Sequence, residues 1–553
     1  MRFILTLHSH LPWVLGHGRW PHGSDWLCEA AVDTYLPLIA ALESLEHQGV
    51  SAPVTLGITP VLANQLAHPA FSTELENFLA QRLEACKEAI EIFRASGEAQ
   101  MVPLALYWRQ HLGRILRTFR RLEGRGGIIG AVSRLARNGR IELISSAATH
   151  GFLPLLGRDE SVRLQLLVGR REHRRLFGVE PAGCWLPECA YRASGPWKPT
   201  ADAPERGDRV GIEFHLEESG YQYFYTDAHL ARAGRVVDAY GDERIAKAEE
   251  EYPRSPYRVY SLPAAGTGLG VRVLVRDPET SLRVWSRHQG YPGDESYLEF
   301  HKIRFPGGLK LWKVTGANVD LGEKQQYDYN VARARAHRDA ADFIHGLANL
   351  ASSDRPTSDH VIVAPFDTEL FGHWWFEGVD FLADLYRGIA SAPGGVTPSS
   401  AAEAIAASPR FTSLQLAEGS WGAEGDFRMW LNPGTAWTWS RLWPLEERFW
   451  NVAAREVANG NKATDGILAQ ASRELLLAQS SDWQFIISTG AAADYAERRF
   501  TGHCDGLEEL IEALEAGSSE ALTRVGPRVE ALHTQDDLFP DILEAVRTVL
   551  HES

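Results

Sequence analysis

Two acidic residues stand directly after short apolar runs of the chain, a position from which they could do chemistry. Glu188 follows the run 184–187, and Asp367 follows the run 361–366. Both runs have the length and composition of buried strands. Aromatic and histidine residues come soon after each acid, namely Tyr191, Phe371, His373, Trp374 and Trp375. One carboxyl group can attack or stabilise an anomeric carbon while another protonates the leaving oxygen, so the pair predicts sugar chemistry.

Three histidines fall near the ends of predicted strands. His8 and His10 are two residues apart on the first strand and therefore share a face. They could bind a metal ion, contact sugar hydroxyls or be buried core residues; no third ligand stands out and no HExxH motif occurs, so we expect no metal. His150 precedes Gly151, which allows a sharp turn and the close approach of a ligand. Either a substrate contact or a structural hydrogen bond fits His150.

A further group of candidate substrate contacts follows the predicted strand 271–277. Arg276 lies at its end, and Trp285 and the Gly-Tyr-Pro-Gly-Asp segment that contains Gly293 come next. A guanidinium group can hold hydroxyls, and glycine leaves room for a sugar ring against the backbone. An ordinary turn with a surface ion pair remains the alternative.

The region after residue 410 adds two tryptophans and an acid to the candidate contacts. Glycines flank the Ser-Trp pair at Trp421, which could expose its indole as a stacking platform, and Trp430 follows nearby. A plug at a domain interface is the alternative for this segment. Asp482 could bind sugar hydroxyls or cap the helix that follows it.

Composition excludes several classes of protein. The formal net charge of -16 disfavours nucleic acid and anionic membranes as partners. The five cysteines are widely spread without paired spacing, which is typical of reduced thiols in the cytoplasm. The apolar N-terminal run is too short for a signal peptide, and no stretch of about 18 apolar residues occurs. The 17 Trp and 16 Tyr residues suit a large core or a sugar-binding groove.

Strand and helix patterns alternate along most of the chain. We predict strands at 2–8, 53–58, 141–146, 183–187, 221–227, 271–277 and 361–366. Predicted helices lie at 26–47, 159–176, 208–219, 325–350 and 375–390, with a longer helical stretch at 72–138. This alternation predicts a parallel sheet whose strand ends carry the site, and the many contributing strands favour a barrel.

These patterns divide the 553 residues into four parts. The catalytic barrel occupies 1–71 and 139–409, and a helical insertion lies at 72–138. Residues 233–262 form a long loop that could act as a lid. Residues 410–553 form a helical C-terminal domain that contributes to the substrate cleft.

With these residues in view, the chain resembles glycoside hydrolase family 57, and within it the glycogen (1,4-α-glucan) branching enzymes. Five blocks occur in the family's order: His8-Ser9-His10-Leu11-Pro12, Gly57-Ile58-Thr59-Pro60, Trp185-Leu186-Pro187-Glu188, Asp367-Thr368-Glu369-Leu370-Phe371-Gly372-His373 and Glu418-Gly419-Ser420-Trp421-Gly422. The first block departs from the family's commoner His-Gln-Pro form. That variant resembles the branching subgroup, as do the segments 17–21 and 291–294.

The resemblance implies a (β/α)7 barrel with a helical insertion and a helical C-terminal domain, and a retaining mechanism without metal or cofactor. It implies that Glu188 is the nucleophile and Asp367 the general acid/base. Substrate contacts are implied at Arg276, Gly293, Trp421 and Asp482. The segment 238–241 resembles a mobile loop whose tyrosine, here Tyr240, favours transfer over hydrolysis.

These inferences predict an enzyme that cleaves α-1,4 links of a glucan and re-forms them as α-1,6 branches. An α-amylase or 4-α-glucanotransferase of the same family would share the acids. A metal-dependent deacetylase or mannosidase and a non-catalytic glucan-binding protein are the remaining alternatives. A storage glucan and a modified cytoplasmic polysaccharide both fit as the polymer, and the chain could be a monomer or a dimer.

Overall fold

The computed structural model describes residues 1–20, 22–198, 207–235, 251–263, 270–286, 289–316, 318–353, 360–408 and 410–551. Seven parallel strands form the centre of this described part. They are β1 (Arg2–Ser9), β2 (Val54–Ile58), β3 (Ile141–Ser146), β4 (Gly183–Trp185), β5 (Tyr223–Thr226), β6 (Arg272–Val275) and β7 (Val361–Asp367). All seven predicted strands are therefore confirmed, although β4, β5 and β6 are shorter than expected.

The strands lie side by side in the order β7-β1-β2-β3-β4-β5-β6. Every neighbouring pair is parallel, and His8 of β1 pairs in register with Asp367 at the end of β7. The sheet also curves toward a closed barrel. The backbone N–H of Asp277, just beyond β6, donates to the carbonyl of Val363 in β7 at 2.8 Å. The carboxyl ends of all seven strands consequently face one end of the barrel.

Helices connect the strands and cover the outside of the barrel. Those before β3 are α1 (Ser24–Ala30), which continues through a π-helical turn (Ala31–Tyr35) into α2 (Leu36–His47), then α3 (Pro60–Ala67), α4 (Pro69–Ala95), α5 (Val102–Glu123) and α6 (Gly127–Arg137). Those between β3 and the C-terminal region are α7 (Asp159–Phe177), α8 (Ile212–Glu218), α9 (Ala228–Ala231), α10 (Pro278–Trp285), α11 (Tyr329–Ser353), α12 (Gly378–Ser391) and α13 (Ala401–Ala406). With helices outside and side chains filling the barrel, the strands are buried on both faces and read as continuous apolar runs.

Helix α7 illustrates how local sequence sets these boundaries. Asp159 and Glu160 lie in its first turn, and Arg174 and Arg175 lie in its last turn. Acidic residues at the N-terminus and basic residues at the C-terminus both complement the helix dipole. The helix ends at Gly178, which has φ +75° and therefore adopts the left-handed conformation that glycine accepts without strain.

The C-terminal region is helical. It consists of α14 (Ala436–Asn459), α15 (Asp465–Ala478), α16 (Asp482–Thr489), α17 (Ala493–Ala516), α18 (Ser519–Gln535) and α19 (Ile542–His551). Its apolar side chains continue the hydrophobic core of the barrel. Polar contacts also join the two regions, since the Trp13 indole donates to the Gln535 carbonyl and the His17 ring contacts Asp536.

The long predicted loop 233–262 is partly a strand structure. Ala233–Arg235 pairs antiparallel with Glu251–Pro253, and Tyr260–Ser261 pairs with both β6 and Thr412–Ser413. Thr412–Ser413 therefore adds a short strand within 410–553, a part that the sequence predicted to be helical. The predicted transfer loop 238–241, with Tyr240, lies outside the described residues. No helix in the described ranges has the length and hydropathy needed to cross a membrane.

Candidate active site

The strand ends of the barrel and helix α16 enclose a cleft with a volume of about 710 Å³. Ten candidate residues from the sequence line this one cleft: His8, His10, His150, Glu188, Arg276, Trp285, Asp367, His373, Trp421 and Asp482. They come from the ends of β1, β3, β4, β6 and β7, from α10, from the segment after β7 and from two places beyond residue 410. Parallel topology brings the strand-end residues together, and the packing of helix α16 on the barrel adds Asp482, which contacts His10 from 472 positions away.

Glu188 is held rigidly in the turn that follows β4. Its backbone has φ +61°, a left-handed conformation that is costly for a residue with a side chain and is enriched at functional sites. Trp421 secures it twice: the backbone N–H donates to the Glu188 carbonyl at 2.9 Å, and the indole N–H donates to Oε2 at 2.7 Å. Oε1 lies 3.7 Å from Nδ1 of His150. The side chain keeps 18% exposure, so it can be reached from the cleft.

Asp367 ends strand β7, where it pairs in register with His8. Burial raises the pKa of Asp367 to about 7, against the opposing effects of His10 and Arg276. Burial likewise raises the pKa of Glu188 to about 8; the Trp421 hydrogen bond opposes this rise, and the charge of Asp367 adds to it.

The two carboxyl groups interact electrostatically across the cleft, so near neutral pH they share one proton. The higher pKa of Glu188, about 8 against about 7 for Asp367, favours that proton on Glu188. The indole N–H of Trp421, which can only donate, opposes protonation of Glu188 at Oε2. No described residue donates a hydrogen bond to the Asp367 side chain.

Three histidine rings stack in series beside the acids. The ring centroids of His10 and His150 lie 4.1 Å apart, and those of His8 and His150 lie 5.0 Å apart. His8 also stacks on Trp185 at 4.8 Å. Burial, followed by the neighbouring histidines, holds the pKa of His8 well below its usual value, and burial together with His10 does the same for His150. His8 and His150 are therefore neutral at pH 7 and can exchange hydrogen bonds.

The ring nitrogens of these histidines, except Nδ1 of His8, have hydrogen-bond partners among the described residues. Nε2 of His8 lies 3.1 Å from Nε2 of His150, whose Nδ1 lies 3.0 Å from the Ser481 hydroxyl. Nε2 of His10 donates to Oδ2 of Asp482 at 2.8 Å, and its Nδ1 lies 3.0 Å from the Thr59 hydroxyl. Both ring nitrogens of His10 are therefore already in hydrogen bonds.

One group among the described residues does bring three potential metal-ligand atoms within 4.8 Å of one another, namely His17, His503 and Asp536. None of the three lines the cleft. Nε2 of His503 lies 3.2 Å from Nη2 of Arg499, and its Nδ1 lies 2.8 Å from Glu474. Because the guanidinium can only donate, His503 carries its proton on Nδ1 and gives it to Glu474. Both ring nitrogens of His503 therefore already take part in hydrogen bonds, with Arg499 and Glu474.

Asp482 begins helix α16 and contributes a carboxylate to the cleft. Burial opposes its ionisation, but His10 and His150 together with the Ser480 hydroxyl lower its pKa below the usual value. The Ser480 hydroxyl donates to Oδ2 at 2.5 Å. Asp482 is therefore an ionised acceptor at neutral pH, fixed by donors on one oxygen.

Arg276 lies largely buried in the cleft wall and contacts an acid that the sequence did not single out, Asp227. Its Nη1 donates to Asp227 at 2.8 Å, and its Nε donates to the Ser281 hydroxyl at 2.8 Å. Arg276 and His229 hold the pKa of Asp227 well below its usual range despite burial. The Arg276 guanidinium also lies 5.5 Å from the Trp421 ring centre. Arg276 thus supports the residue that fixes Glu188.

Aromatic rings form much of the remaining wall. Trp421 packs edge-on against both Trp185 and Trp285. Trp26, Trp374, Phe485 and Tyr495 also line the cleft, and Trp374 remains 38% exposed. Flat rings can pack against the apolar faces of sugar rings while excluding water. The wall therefore suits a neutral, ring-shaped substrate.

Two predicted site residues in the described part of the chain do not line the cleft. Trp430 is fully buried and stacks on Phe152 with centroids 4.3 Å apart, so it is part of the core next to the cleft and cannot contact a sugar there. Gly293 ends the turn Tyr291–Gly293, which packs through Tyr291 against Trp375. Tyr240 lies outside the described residues.

Sequence reasoning also missed a further carboxyl group in the cleft, Glu369. Glu369 lies two residues after Asp367, lines the same cavity and is 6% exposed. It lies inside the segment 367–373 that carries part of the family resemblance, but the resemblance implied no role for it. The signal that could have found it is an acid in the turn after a buried strand, since such turns form the site in parallel barrels.

Comparison with known proteins agrees with this geometry. Residues 4–412 match the family described as glycosyl hydrolase family 57, and residues 442–546 match the family described as 1,4-alpha-glucan branching enzyme, C-terminal. The first match covers most of the chain, and the chain belongs to glycosyl hydrolase family 57.

Similar proteins include enzymes from an archaeon and a bacterium. The 1,4-alpha-glucan branching enzyme TK1436 of Thermococcus kodakarensis is 38% identical over 518 residues, which is 93% of this chain and 74% of that protein. The probable 1,4-alpha-glucan branching enzyme Rv3031 of Mycobacterium tuberculosis is 30% identical over 97% of this chain and 96% of its own length.

Two solved structures share the whole fold. That of the GH57 branching enzyme from Thermococcus kodakaraensis has a TM-score of 0.89 at 34% identity and covers 99% of this chain and 96% of its own. That of the alpha-amylase AmyC from Thermotoga maritima has a TM-score of 0.78 at 27% identity and covers 99% of both chains.

Proposed function

We propose that this chain is a 1,4-α-glucan branching enzyme, which cleaves α-1,4 links with retention and re-forms them as α-1,6 branches. The observation that carries the proposal is the presence of two acids in one aromatic cleft, in a chain that also matches a branching-enzyme C-terminal region at residues 442–546. The similar enzymes named above support the same activity.

In the first step, Glu188 attacks C1 of an α-1,4-linked glucosyl unit. The bond from C1 to the 4-oxygen of the next unit breaks, and Asp367 gives its proton to that oxygen. A β-linked glycosyl–Glu188 intermediate and a shortened glucan result. Trp421, which holds Oε2 of Glu188 at 2.7 Å, directs Oε1 toward the reacting carbon.

In the second step, the 6-hydroxyl of an acceptor glucan attacks C1 of the intermediate. Asp367, now a carboxylate, takes the hydroxyl proton, and the bond to Glu188 breaks. Two inversions leave an α-1,6 link with the original configuration. The raised pKa of Asp367, about 7, suits a group that must give and then regain a proton near neutral pH.

Transfer must compete with water, which is present at about 55 M and would hydrolyse the intermediate in an open site. The aromatic wall of Trp285, Trp421 and Trp374 supports a dry cleft with stacking positions for the acceptor. Closure by the segment that contains Tyr240 would exclude water further, as its resemblance to the family's mobile loop implies.

The physiological product proposed here is a glycogen-type glucan made in the cytoplasm. All five cysteines, Cys28, Cys86, Cys184, Cys189 and Cys504, are buried free thiols, which suits a reducing compartment. Histidines, acids and indoles line the cleft, all of which can bind the hydroxyls and ring faces of a neutral glucan.

An α-amylase activity is the second candidate, because AmyC of Thermotoga maritima shares the fold over nearly the whole chain. Linkage analysis of products from linear amylose separates the two. Branching predicts new α-1,6 links, detected by NMR and released by a debranching enzyme, with little gain in reducing ends. Soluble oligosaccharides with only α-1,4 links and a steady rise in reducing ends would establish hydrolysis instead.

A further inference from the structure

Glu369 is a cleft carboxyl group that neither catalytic step uses. It lies in the turn Thr368–Leu370 directly after β7, two residues beyond Asp367. The side chain lines the same cavity as Glu188 and Asp367 and is 6% exposed. Burying a carboxyl group beside two others costs free energy unless its oxygens have hydrogen-bond partners.

The two oxygens of Glu369 are in different environments. Oε1 accepts the Tyr35 hydroxyl at 2.5 Å and the backbone N–H of His10 at 3.2 Å. Tyr35 comes from the π-helical turn after α1, and His10 comes from the end of β1, so two separate elements fix this oxygen. No described residue forms a hydrogen bond with Oε2, although the side chain borders the cleft.

The groups around Glu369 determine its charge. Burial raises its pKa to about 8, the Tyr35 hydrogen bond opposes the rise, and the charge of Asp367 adds to it. His10 faces it from β1 through its backbone N–H. His373, further along the same turn, faces Asp33, which Lys310 contacts at 2.9 Å, so the positive charge of that lysine is already compensated. Glu369 is therefore mostly a neutral acid at pH 7.

A neutral carboxylic acid carries its proton on one oxygen only. Because Oε1 already accepts two hydrogen bonds, the proton of Glu369 resides on Oε2. Oε2 is the atom without a protein partner, on a side chain that lines the glucan cleft. The geometry therefore presents an O–H donor to the substrate at a site otherwise rich in acceptors such as Asp482.

We propose that Glu369 is a substrate-binding residue whose Oε2–H group donates a hydrogen bond to a hydroxyl of the glucosyl unit in the cleft. This inference rests on the proposed glucan substrate. It assigns Glu369 a role distinct from that of Asp367: Glu369 holds its proton while Asp367 transfers one.

Glutamine and alanine substitutions test this role, because glutamine has the shape and the donor group of the neutral acid. Binding of a maltooligosaccharide is measured by calorimetry in the Glu188→Gln background, which prevents turnover. Glu188→Gln/Glu369→Gln should bind within about twofold of Glu188→Gln at pH 6.5. Glu188→Gln/Glu369→Ala should bind about fivefold or more weakly, as expected for one lost hydrogen bond.

The pH dependence gives a readout that a structural role would not move. In the Glu188→Gln background, affinity should weaken as pH rises through about 8 and Oε2 loses its proton. The same dependence should be absent with Glu369→Gln, which cannot ionise. Tyr35→Phe is the matched control, because it removes a donor to Oε1 and leaves Oε2 in place; it should change affinity less than Glu369→Ala does.

Equal affinity of the Glu369→Gln and Glu369→Ala variants, or the same pH dependence with and without Glu369→Gln, would overturn the inference. If Glu369→Ala fails to fold, the pH comparison with Glu369→Gln still decides. The amylose linkage assay on the unaltered enzyme is independent of these results. Absence of branches there, combined with the predicted affinity differences, would reject the branching activity and retain Glu369 as a glucan contact.

Discussion

The indole N–H of Trp421 donates to Oε2 of Glu188 at 2.7 Å, and the backbone N–H of the same tryptophan donates to the Glu188 carbonyl. These residues are 233 positions apart, one in the turn after β4 and the other beyond the last barrel strand. One residue thus fixes both the backbone and the side chain of the proposed nucleophile. The orientation and the charge of Glu188 therefore depend on the segment that joins the barrel to the C-terminal helices.

Replacing Trp421 with Phe should remove the donor while keeping an aromatic ring. Since the hydrogen bond favours the ionised form of Glu188, its loss raises the pKa of this carboxyl, and the acidic limb of the kcat/KM profile should move to higher pH. We expect kcat to fall about tenfold or more, since hydrogen bonds to charged groups are worth about 1.5–3 kcal/mol. The measurement is a pH series of initial branching rates on amylose.

Trp285→Phe is the matched control for this series. Trp285 lines the same cleft and packs against Trp421, but its indole N–H has no hydrogen-bond partner among the described residues. Its substitution should leave the acidic limb unchanged. An equal shift in both variants would show that the Trp421 hydrogen bond does not set the charge of Glu188.

Asp482→Asn should move the same limb in the opposite direction. The negative charge of Asp482 raises the pKa of Glu188, so removing it should lower that pKa and shift the acidic limb to lower pH. The variant also weakens the 2.8 Å contact with His10, and KM should rise. A limb that moves to higher pH, or does not move, would contradict this electrostatic coupling.

Asp227→Asn should destabilise the protein through the buried pair with Arg276. The two side chains are 7% and 5% exposed, and removing one partner of a buried pair costs about 3–5 kcal/mol. The midpoint of thermal unfolding should fall clearly. Asp494→Asn, which breaks the exposed pair with Arg498, is the control and should leave the midpoint unchanged.

The pH dependence of stability offers a second measure of the same pair. The pKa of Asp227 is held well below its unfolded value of about 3.9, so its stabilisation is present at neutral pH and is lost as pH falls below about 4. The difference in thermal midpoint between the parent and Asp227→Asn should therefore shrink in acid. A difference that stays constant from pH 7 to pH 3 would argue against an ion pair.

Tyr240→Ala tests the transfer loop that the sequence predicts. If this tyrosine helps exclude water from the intermediate, its loss should raise the ratio of hydrolysis to branching while total cleavage changes less. Reducing ends and α-1,6 links are counted in the same amylose digest. An unchanged ratio would remove residues 238–241 from the account of transfer.

The barrel was predictable because its strands are buried on both faces. Runs such as 361–366 contain few polar residues, whereas an amphipathic helix carries polar residues along its exposed face. Once the strands are parallel, Glu188 and Asp367 must emerge at the same end, so their meeting follows from topology. The shortness of β4, β5 and β6 was missed, because turn residues such as Pro187 extend the apolar pattern beyond the paired backbone.

The rest of the site depends on partners that no local pattern reveals. Glu369 gains its role from Tyr35, which lies 334 positions away, and Arg276 pairs with Asp227 from another strand end. Trp430 was predicted to contact the substrate but is a core residue. A tryptophan near glycines is compatible with either a stacking platform or a buried plug, and its stacking on Phe152 shows that it is buried. Exposure is a property of the folded chain, so sequence cannot choose between these alternatives.

The most direct test of the catalytic assignment is to trap the intermediate. A maltooligosaccharyl α-fluoride needs no acid to depart, so an Asp367→Asn variant should form the glycosyl enzyme and then lack the base to release it. Mass spectrometry of the digested protein should find the glycosyl group on the peptide that contains Glu188, and none when Glu188→Gln is added. Fluoride release without an adduct on that peptide, or an adduct on another residue, would contradict the assignment.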